Sequence, residues 1–144
     1  MKVSDVCVSN PIVIKTNASI REAADYMAEF HVGSLIVIEQ TQDGIKPIGI
    51  VTDRDIVLKV ATQGKNVDEV KVDEIMSRDL ETAEGDEAIY DALQKMRKKG
   101  VRRLPIVDDD GILIGIMTVD DALEYIVKQL VEVVRLMWKE QARE

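Results

Sequence analysis

The sequence predicts an α/β fold built from two similar units that need each other, and three observations lead there. The order strand, helix, strand, strand, helix can be read twice along the chain. Both copies close on Gly, two apolar residues, Thr and, three residues later, Asp: Gly49-Ile50-Val51-Thr52-Asp53-Arg54-Asp55 and Gly115-Ile116-Met117-Thr118-Val119-Asp120-Asp121. With 144 residues, 46% of them hydrophobic and 3% aromatic, the chain can build a core but not two generous ones. Such a repeat implies two units facing each other, with function between them.

The elements follow in order. Val3-Ser4-Asp5-Val6 opens the first copy and Val72-Asp73-Glu74-Ile75 the second. Pro11 to Lys15, apolar and β-branched, suits a short strand. Ser19 caps a helix, with Glu22 completing a capping box and Ile20, Ala23, Ala24, Met27 and Phe30 forming its apolar face. Leu35 to Ile38 is a continuous apolar run, the pattern of a strand covered on both sides. Asp43-Gly44 marks a turn, and Ile48 to Val51 returns as the partner strand. Thr52 caps a second helix, which runs through about Ala61 and stops at Gly64. The second copy places strands near Leu80 to Ala83, Leu104 to Val107 and Ile112 to Met117, with helices from Ala88 to Lys99 and from Val119 onward. Pro105 stands where the first copy has Ile36, at a strand start that tolerates a missing N–H. The division is therefore 1–64 for the first repeat, 65–71 for a polar linker, 72–130 for the second repeat and 131–144 for a helical extension.

Composition removes several function classes. One cysteine, Cys7, excludes an internal disulfide and a cysteine-rich zinc site, and no apolar run reaches the roughly 18 residues of a membrane span, so a soluble cytoplasmic protein is expected. A net charge of -8 opposes approach to polyphosphate backbones. His31 has no ligand-type neighbour at metal spacing, and its repeat counterpart is Gly100, which favours a structural role and no metal. Cys7 corresponds to Met76, which favours an apolar contact. Asp108-Asp109-Asp110-Gly111 lacks the distal acidic residue of a calcium loop and reads as a hairpin turn. Asp53 and Asp55 have no nucleophile or orienting base around them, so no catalytic residue and no enzymatic activity are expected.

The Gly-x-x-Thr-x-x-Asp motif carries the chemistry. Where a strand runs into a helix, the Thr hydroxyl and the helix's first N–H groups emerge together at the positive end of the helix dipole, a place that accepts a phosphate. Asp55 and Asp121 follow one turn later and can accept from the vicinal hydroxyls of a ribose. Neighbouring Ile and Val side chains offer a surface for a purine. A single motif reads equally well as a plain helix cap; two copies with Asp at the same offset favour a ligand.

Those two motifs, with Val101-Arg102-Arg103-Leu104-Pro105-Ile106-Val107-Asp108, resemble cystathionine β-synthase (CBS) domains over about residues 1 to 130. Two such domains in tandem resemble a free-standing Bateman module. The resemblance implies two repeats packed with pseudo-twofold symmetry, two clefts that each draw on both copies, and adenosyl ligands: AMP, ADP or ATP, with S-adenosylmethionine or NAD as further candidates and no cofactor. It places Thr52, Arg54, Asp55, Val101, Arg102 and Arg103 in a main nucleotide cleft, and Ile12, Val32, Gly33, Thr118 and Asp121 in a weaker one. The second is expected to be weaker, empty or tuned to a less anionic adenosyl ligand because Asp120 stands where the first has Arg54, setting a carboxylate beside a phosphate.

From Ala122 onward an amphipathic helix carries Leu123, Ile126, Val127, Leu130, Val134 and Met137 on one stripe, widened by Val131, Val133 and Trp138. Its alternatives are folding back on the module or pairing two chains, and a homodimer with contacts at Leu130, Val134, Met137 and Trp138 is the expectation. The leading functional expectation is a non-catalytic, adenine-nucleotide-binding regulatory module acting on an unidentified partner protein. Nucleic-acid binding through Arg102 and Arg103 is a second hypothesis that the acidic charge opposes, and a structural adaptor with degenerate clefts is a third.

Overall fold

The computed structural model describes residues 1–8 and 12–143. Its elements are β1 (Val13–Lys15), α1 (Ile20–Phe30), β2 (Ser34–Thr41), β3 (Gly44–Thr52), α2 (Asp53–Ile56), β4 (Ala83–Glu84), α3 (Ile89–Lys99), β5 (Arg103–Val107), β6 (Leu113–Thr118) and α4 (Val119–Arg143). Short 3₁₀ turns at Val3–Asp5 and Val72–Glu74 open the two copies, and a π-helical stretch at Val57–Ala61 continues α2. Each copy forms one three-stranded sheet, β1-β2-β3 and β4-β5-β6, in which the first pair is parallel and the second antiparallel.

The apolar run of β2 is sorted by the strand's alternation of faces. Leu35 and Val37 join Ile20, Ala23, Met27 and Val51 in the core under α1, while Ile36 and Ile38 face the other way. There they meet Ile50 and Ile116, with Leu80 and Leu113 at the edge, in an apolar layer between the repeats. The second copy has its own core of Ala83, Ala92, Met96, Leu104, Ile106 and Met117. These three layers are the α/β pair of facing units that the sequence predicts.

What the repeat pattern does not disclose is a reciprocal exchange of leading segments. Val3, with Val6 and Cys7 beside it, packs into the second core, and Val72, Ile75 and Met76 pack into the first. At the far end of each segment the backbone pairs with the sheet of the other copy. Val8 N–H donates to Ile116 O at 2.8 Å and Ile116 N–H to Val8 O at 3.0 Å; Ser77 and Ile50 repeat the exchange at 2.9 Å in both directions. At the near end, Met1 O accepts from the Ile89 N–H that opens α3, and Val70 O accepts from the Ile20 N–H that opens α1. The two sets of contacts are equivalent, which is the pseudo-twofold symmetry expressed in hydrogen bonds.

This exchange explains the motif glycines. A β-carbon on Gly49 would lie 2.7 Å from Ser77 O, and one on Gly115 would lie 2.7 Å from Val8 O. Both glycines also sit beside a register shift in their hairpins, at Val37/Ile38 and Ile106/Val107.

Several local expectations change. Only half of the capping box at α1 forms, with Ser19 Oγ accepting from Glu22 N–H at 3.1 Å. The segment between the copies supplies the other partners: Val70 O and Val67 O accept from Ile20 and Arg21 N–H, and Arg21 pairs with Asp68. Residues 65–71, read as a linker, are thus docked on the first repeat. Phe30 leaves the core and meets Tyr26 edge-on at 6.2 Å, because α1 buries only Ile20, Ala23 and Met27. The second copy's first strand begins at Ala83, and Leu80 packs between the repeats instead. Pro11 lies outside the described residues. Asp108 Oδ1 accepts from the N–H groups of Asp110 and Ile112, both at 2.9 Å, as a hairpin turn requires.

Helices α1 and α3 both end on a left-handed residue, Gly100 at φ 67° and His31 at φ 54°. Glycine is the usual choice there, and a residue with a β-carbon in that conformation costs roughly 1–2 kcal/mol. Beyond Ala122, α4 does not fold back on the module: Leu130 is 61% exposed and Trp138 65%, with Leu123, Val127, Val133 and Met137 exposed and Val134 half-buried. Among the described residues no helix is long and apolar enough to cross a membrane.

Gly49→Ala and Gly115→Ala are each expected to lower stability by about 1–3 kcal/mol in urea unfolding, since backbone rather than a flexible side chain must move. Gly85→Ala, whose β-carbon would meet only Ser4 Cβ at 3.5 Å, is the control and is expected to stay near neutral. Equal tolerance of all three would contradict the close approach.

A candidate ligand cavity between the repeats

Each strand-to-helix corner is built by its own sequence. Thr52 Oγ1 accepts from Asp55 N–H at 3.0 Å, and Asp55 Oδ2 accepts from Thr52 N–H at 3.0 Å, a complete capping box. Thr118 Oγ1 accepts from Asp121 N–H at 3.0 Å in the same way. Each threonine keeps its hydroxyl proton for another partner. The next N–H group reaches back to the preceding strand entry of its own repeat, Asp53 to Gly33 O at 2.9 Å and Val119 to Arg102 O at 3.0 Å.

Because β3 and β6 lie against each other, residues of both corners line one space. A cavity of about 510 Å³ is lined from the first repeat by His31, Val32, Gly33, Ser34, Ile50, Thr52, Asp53 and Arg54, and from the second by Gly100, Val101, Arg102, Arg103, Thr118 and Asp120. That size falls within the ~300–1,000 Å³ of small-molecule sites. Residues assigned to two separate clefts thus share one cavity: Thr52, Arg54, Val101, Arg102 and Arg103 from one set, Val32, Gly33 and Thr118 from the other.

Asp55, Asp121 and Ile12 are not in the lining. Asp55 is held by its cap and by Lys59, 3.4 Å away. The Asp121 backbone holds the Thr118 cap, and Ile12 packs on the first core. The lining also contains residues that the sequence analysis did not assign to a ligand, notably His31, Ser34 and Asp53. Comparing the copies position by position carries the signal for two of them, since His31 faces Gly100 and Ser34 faces Arg103 in the repeat.

The two halves of the cavity differ in charge. Arg102 and Arg103 with Asp120 leave the second half positive, whereas Arg54 and Asp53 balance in the first. Asp53 Oδ1 already accepts from Arg54 N–H at 2.8 Å, so an internal carboxylate sits at the first corner; Val119 stands there in the second copy. A β-carbon on Gly33 would come 3.2 Å from Asp53 Oδ2, so Gly33 leaves room for this carboxylate. Asp120, expected to repel an anion, is instead paired with Arg102 at 3.0 Å, and both side chains are more than two-thirds exposed, at 81% and 72%. So exposed a pair contributes between about 0 and 1 kcal/mol, and a competing anion releases Arg102 at little cost. Among the described residues no group of three or more His, Cys, Asp or Glu side chains is placed to hold a metal ion.

The sequence profile of the CBS domain matches residues 3–62 and 72–128. The chain belongs to the CBS domain family. An uncharacterized protein of Methanopyrus kandleri is 48% identical over 103 residues, which cover 72% of this chain and 51% of that protein, so the chain matches about half the relative's length. The inosine-5'-monophosphate dehydrogenase of Nitrosopumilus maritimus is 33% identical over 116 residues, 81% of this chain and 22% of the enzyme. Among solved structures, the CBS domain pair of the protein MJ0100, in complex with methylthioadenosine and S-adenosyl-L-methionine, superimposes with a TM-score of 0.74 at 30% identity, covering 90% of this chain and 98% of that one. The CBS pair architecture, with its extended last helix, is therefore the fold of this chain.

A double-mutant cycle on Arg102→Ala and Asp120→Ala, read by urea unfolding, is expected to give a coupling below about 1 kcal/mol. A coupling of several kcal/mol would make the pair a structural strut and leave Arg102 unavailable to a ligand.

Proposed function

We propose that this CBS pair is a non-catalytic regulatory module that binds one adenosyl ligand, an adenine nucleotide such as AMP, ADP or ATP, in the cavity between its repeats. The observation that carries the proposal is the lining: three arginines and two capped helix starts, drawn from both copies, around a space of about 510 Å³. The arginines suit a phosphate chain, with fork-shaped donors that match its oxygens. Val32, Val101 and Ile50 supply the apolar wall that a purine needs. The bound adenosyl compounds of the MJ0100 pair support the same ligand class, and S-adenosylmethionine and NAD belong in any test. Asp55 contacts a ribose in this scheme only by turning its carboxylate away from the cap it maintains, whereas Asp121 caps through its backbone N–H and keeps its carboxylate free of that bond.

A ligand held by both repeats stabilises the arrangement it prefers, and that difference in affinity is the whole of the signal. The readout passes to a partner protein through the relative placement of the copies. Two chains pair along α4, whose exposed Leu123, Ile126, Leu130, Val133 and Met137 repeat at the alternating spacing of three and four that a helix seam uses. Trp138, the only tryptophan, anchors the end of that seam. The net charge of -8 opposes the nucleic-acid reading.

Thermal shift with AMP, ADP, ATP, S-adenosylmethionine and NAD tests the ligand class, because a ligand at 100 times its Kd stabilises by about 2.7 kcal/mol. At least one of these is expected to raise Tm, and Arg102→Ala to reduce that rise; a flat response to all five would leave an adaptor without a ligand. For assembly, truncation after Leu130 is expected to turn a dimer into a monomer by light scattering. A dimer that survives the truncation would remove α4 from the interface.

A further inference from the structure

The cavity is symmetric in plan but not in substance, and His31 marks the difference. Helices α1 and α3 end in the same way: Val32 N–H donates to Met27 O at 3.1 Å and Val101 N–H to Met96 O at 3.0 Å. Both ends require a left-handed residue, and the second copy uses Gly100. Among the described residues His31 is the only one other than glycine with positive φ. The backbone gains nothing from an imidazole there, since glycine adopts the turn without strain, so the ring's contribution lies elsewhere. His31 is one of the residues that line the cavity and the only one of them with an aromatic ring. Beside it Gly33 and Ser34 stand where the second copy has Arg102 and Arg103, so the His31 end, where Asp53 and Arg54 balance, carries no net charge and the other end holds two guanidinium groups.

We infer that His31 positions the ligand: its ring takes the face of the base beside Ser34, and the anionic group lies toward Arg102 and Arg103. Of the two orientations that a pseudo-twofold cavity offers, this selects one. The charged groups around the ring are Asp53 and Arg54 on its own side and Arg102, Arg103 and Asp120 opposite, so the flat uncharged part of the ligand is the part that suits the His31 end. The inference rests on the adenosyl reading given above and adds the residue that decides orientation.

Isothermal titration of AMP and of ribose 5-phosphate, which lacks the base, into wild type, His31→Gly, His31→Phe and Arg102→Ala tests it. His31→Gly is expected to leave Tm unchanged or higher, as at Gly100, while weakening AMP about tenfold, the loss of one base stack. Ribose 5-phosphate binding stays as in wild type, and His31→Phe regains most of the AMP affinity by restoring a ring. Arg102→Ala weakens both ligands. If His31→Gly leaves AMP affinity unchanged, or weakens both ligands equally, the inference is overturned while the adenosyl reading stands. If wild type binds neither AMP nor another adenosyl ligand, both fall.

Discussion

The structure depends on one constraint: each repeat completes its sheet and its helix caps with a backbone segment belonging to the other. Residues 1–8 run along the second copy and residues 70–77 along the first, and each pairs with the strand that carries the motif glycine. A side chain at Gly49 or Gly115 would stand where the exchanged carbonyl now passes. The motif's first residue is therefore fixed by packing between copies, and its threonine by helix capping. What remains for a ligand is the surface these two requirements leave exposed.

That surface is shared because of the same exchange. By holding β3 against β6, it brings two strand-to-helix corners, Thr52 and Thr118, to one cavity. The apolar layer of Ile36, Ile38, Ile50 and Ile116 lies beneath it, and among the described residues no polar side chain is buried between the repeats. Apolar contacts of this kind are non-directional, so they permit small changes in the angle between copies that a bridging ligand can select. The ion pair of Arg102 and Asp120, exposed and weak, occupies the positive end of the cavity without blocking it.

Much of this is legible in the sequence because local physics decides it. Helix starts at Ser19, Thr52 and Thr118, the doubly covered strand at Leu35 to Ile38, and the turn at Asp108 all follow from side chains acting on their own neighbourhood. The exchange is not legible, since Val3 and Val72 are apolar in a way that suits either core, and only long-range pairing assigns them. That residues of both corners line one cavity follows from that pairing and is hidden for the same reason. Asp55 illustrates a further limit: the spacing that lets a carboxylate face a ligand also lets it close its own capping box, and sequence cannot rank the two. His31 was readable as a structural residue through its counterpart Gly100, but its place in the lining depends on where the end of α1 meets the other repeat.

The central claim is that one ligand touches both repeats at once. An NMR titration of the chain with the adenosyl ligand that binds most tightly measures this directly, residue by residue. The account predicts that amide resonances of Val32 and Thr52 in the first repeat and of Val101 and Thr118 in the second shift together along one binding curve. Shifts confined to a single repeat, or two curves of different affinity for the two corners, would contradict it.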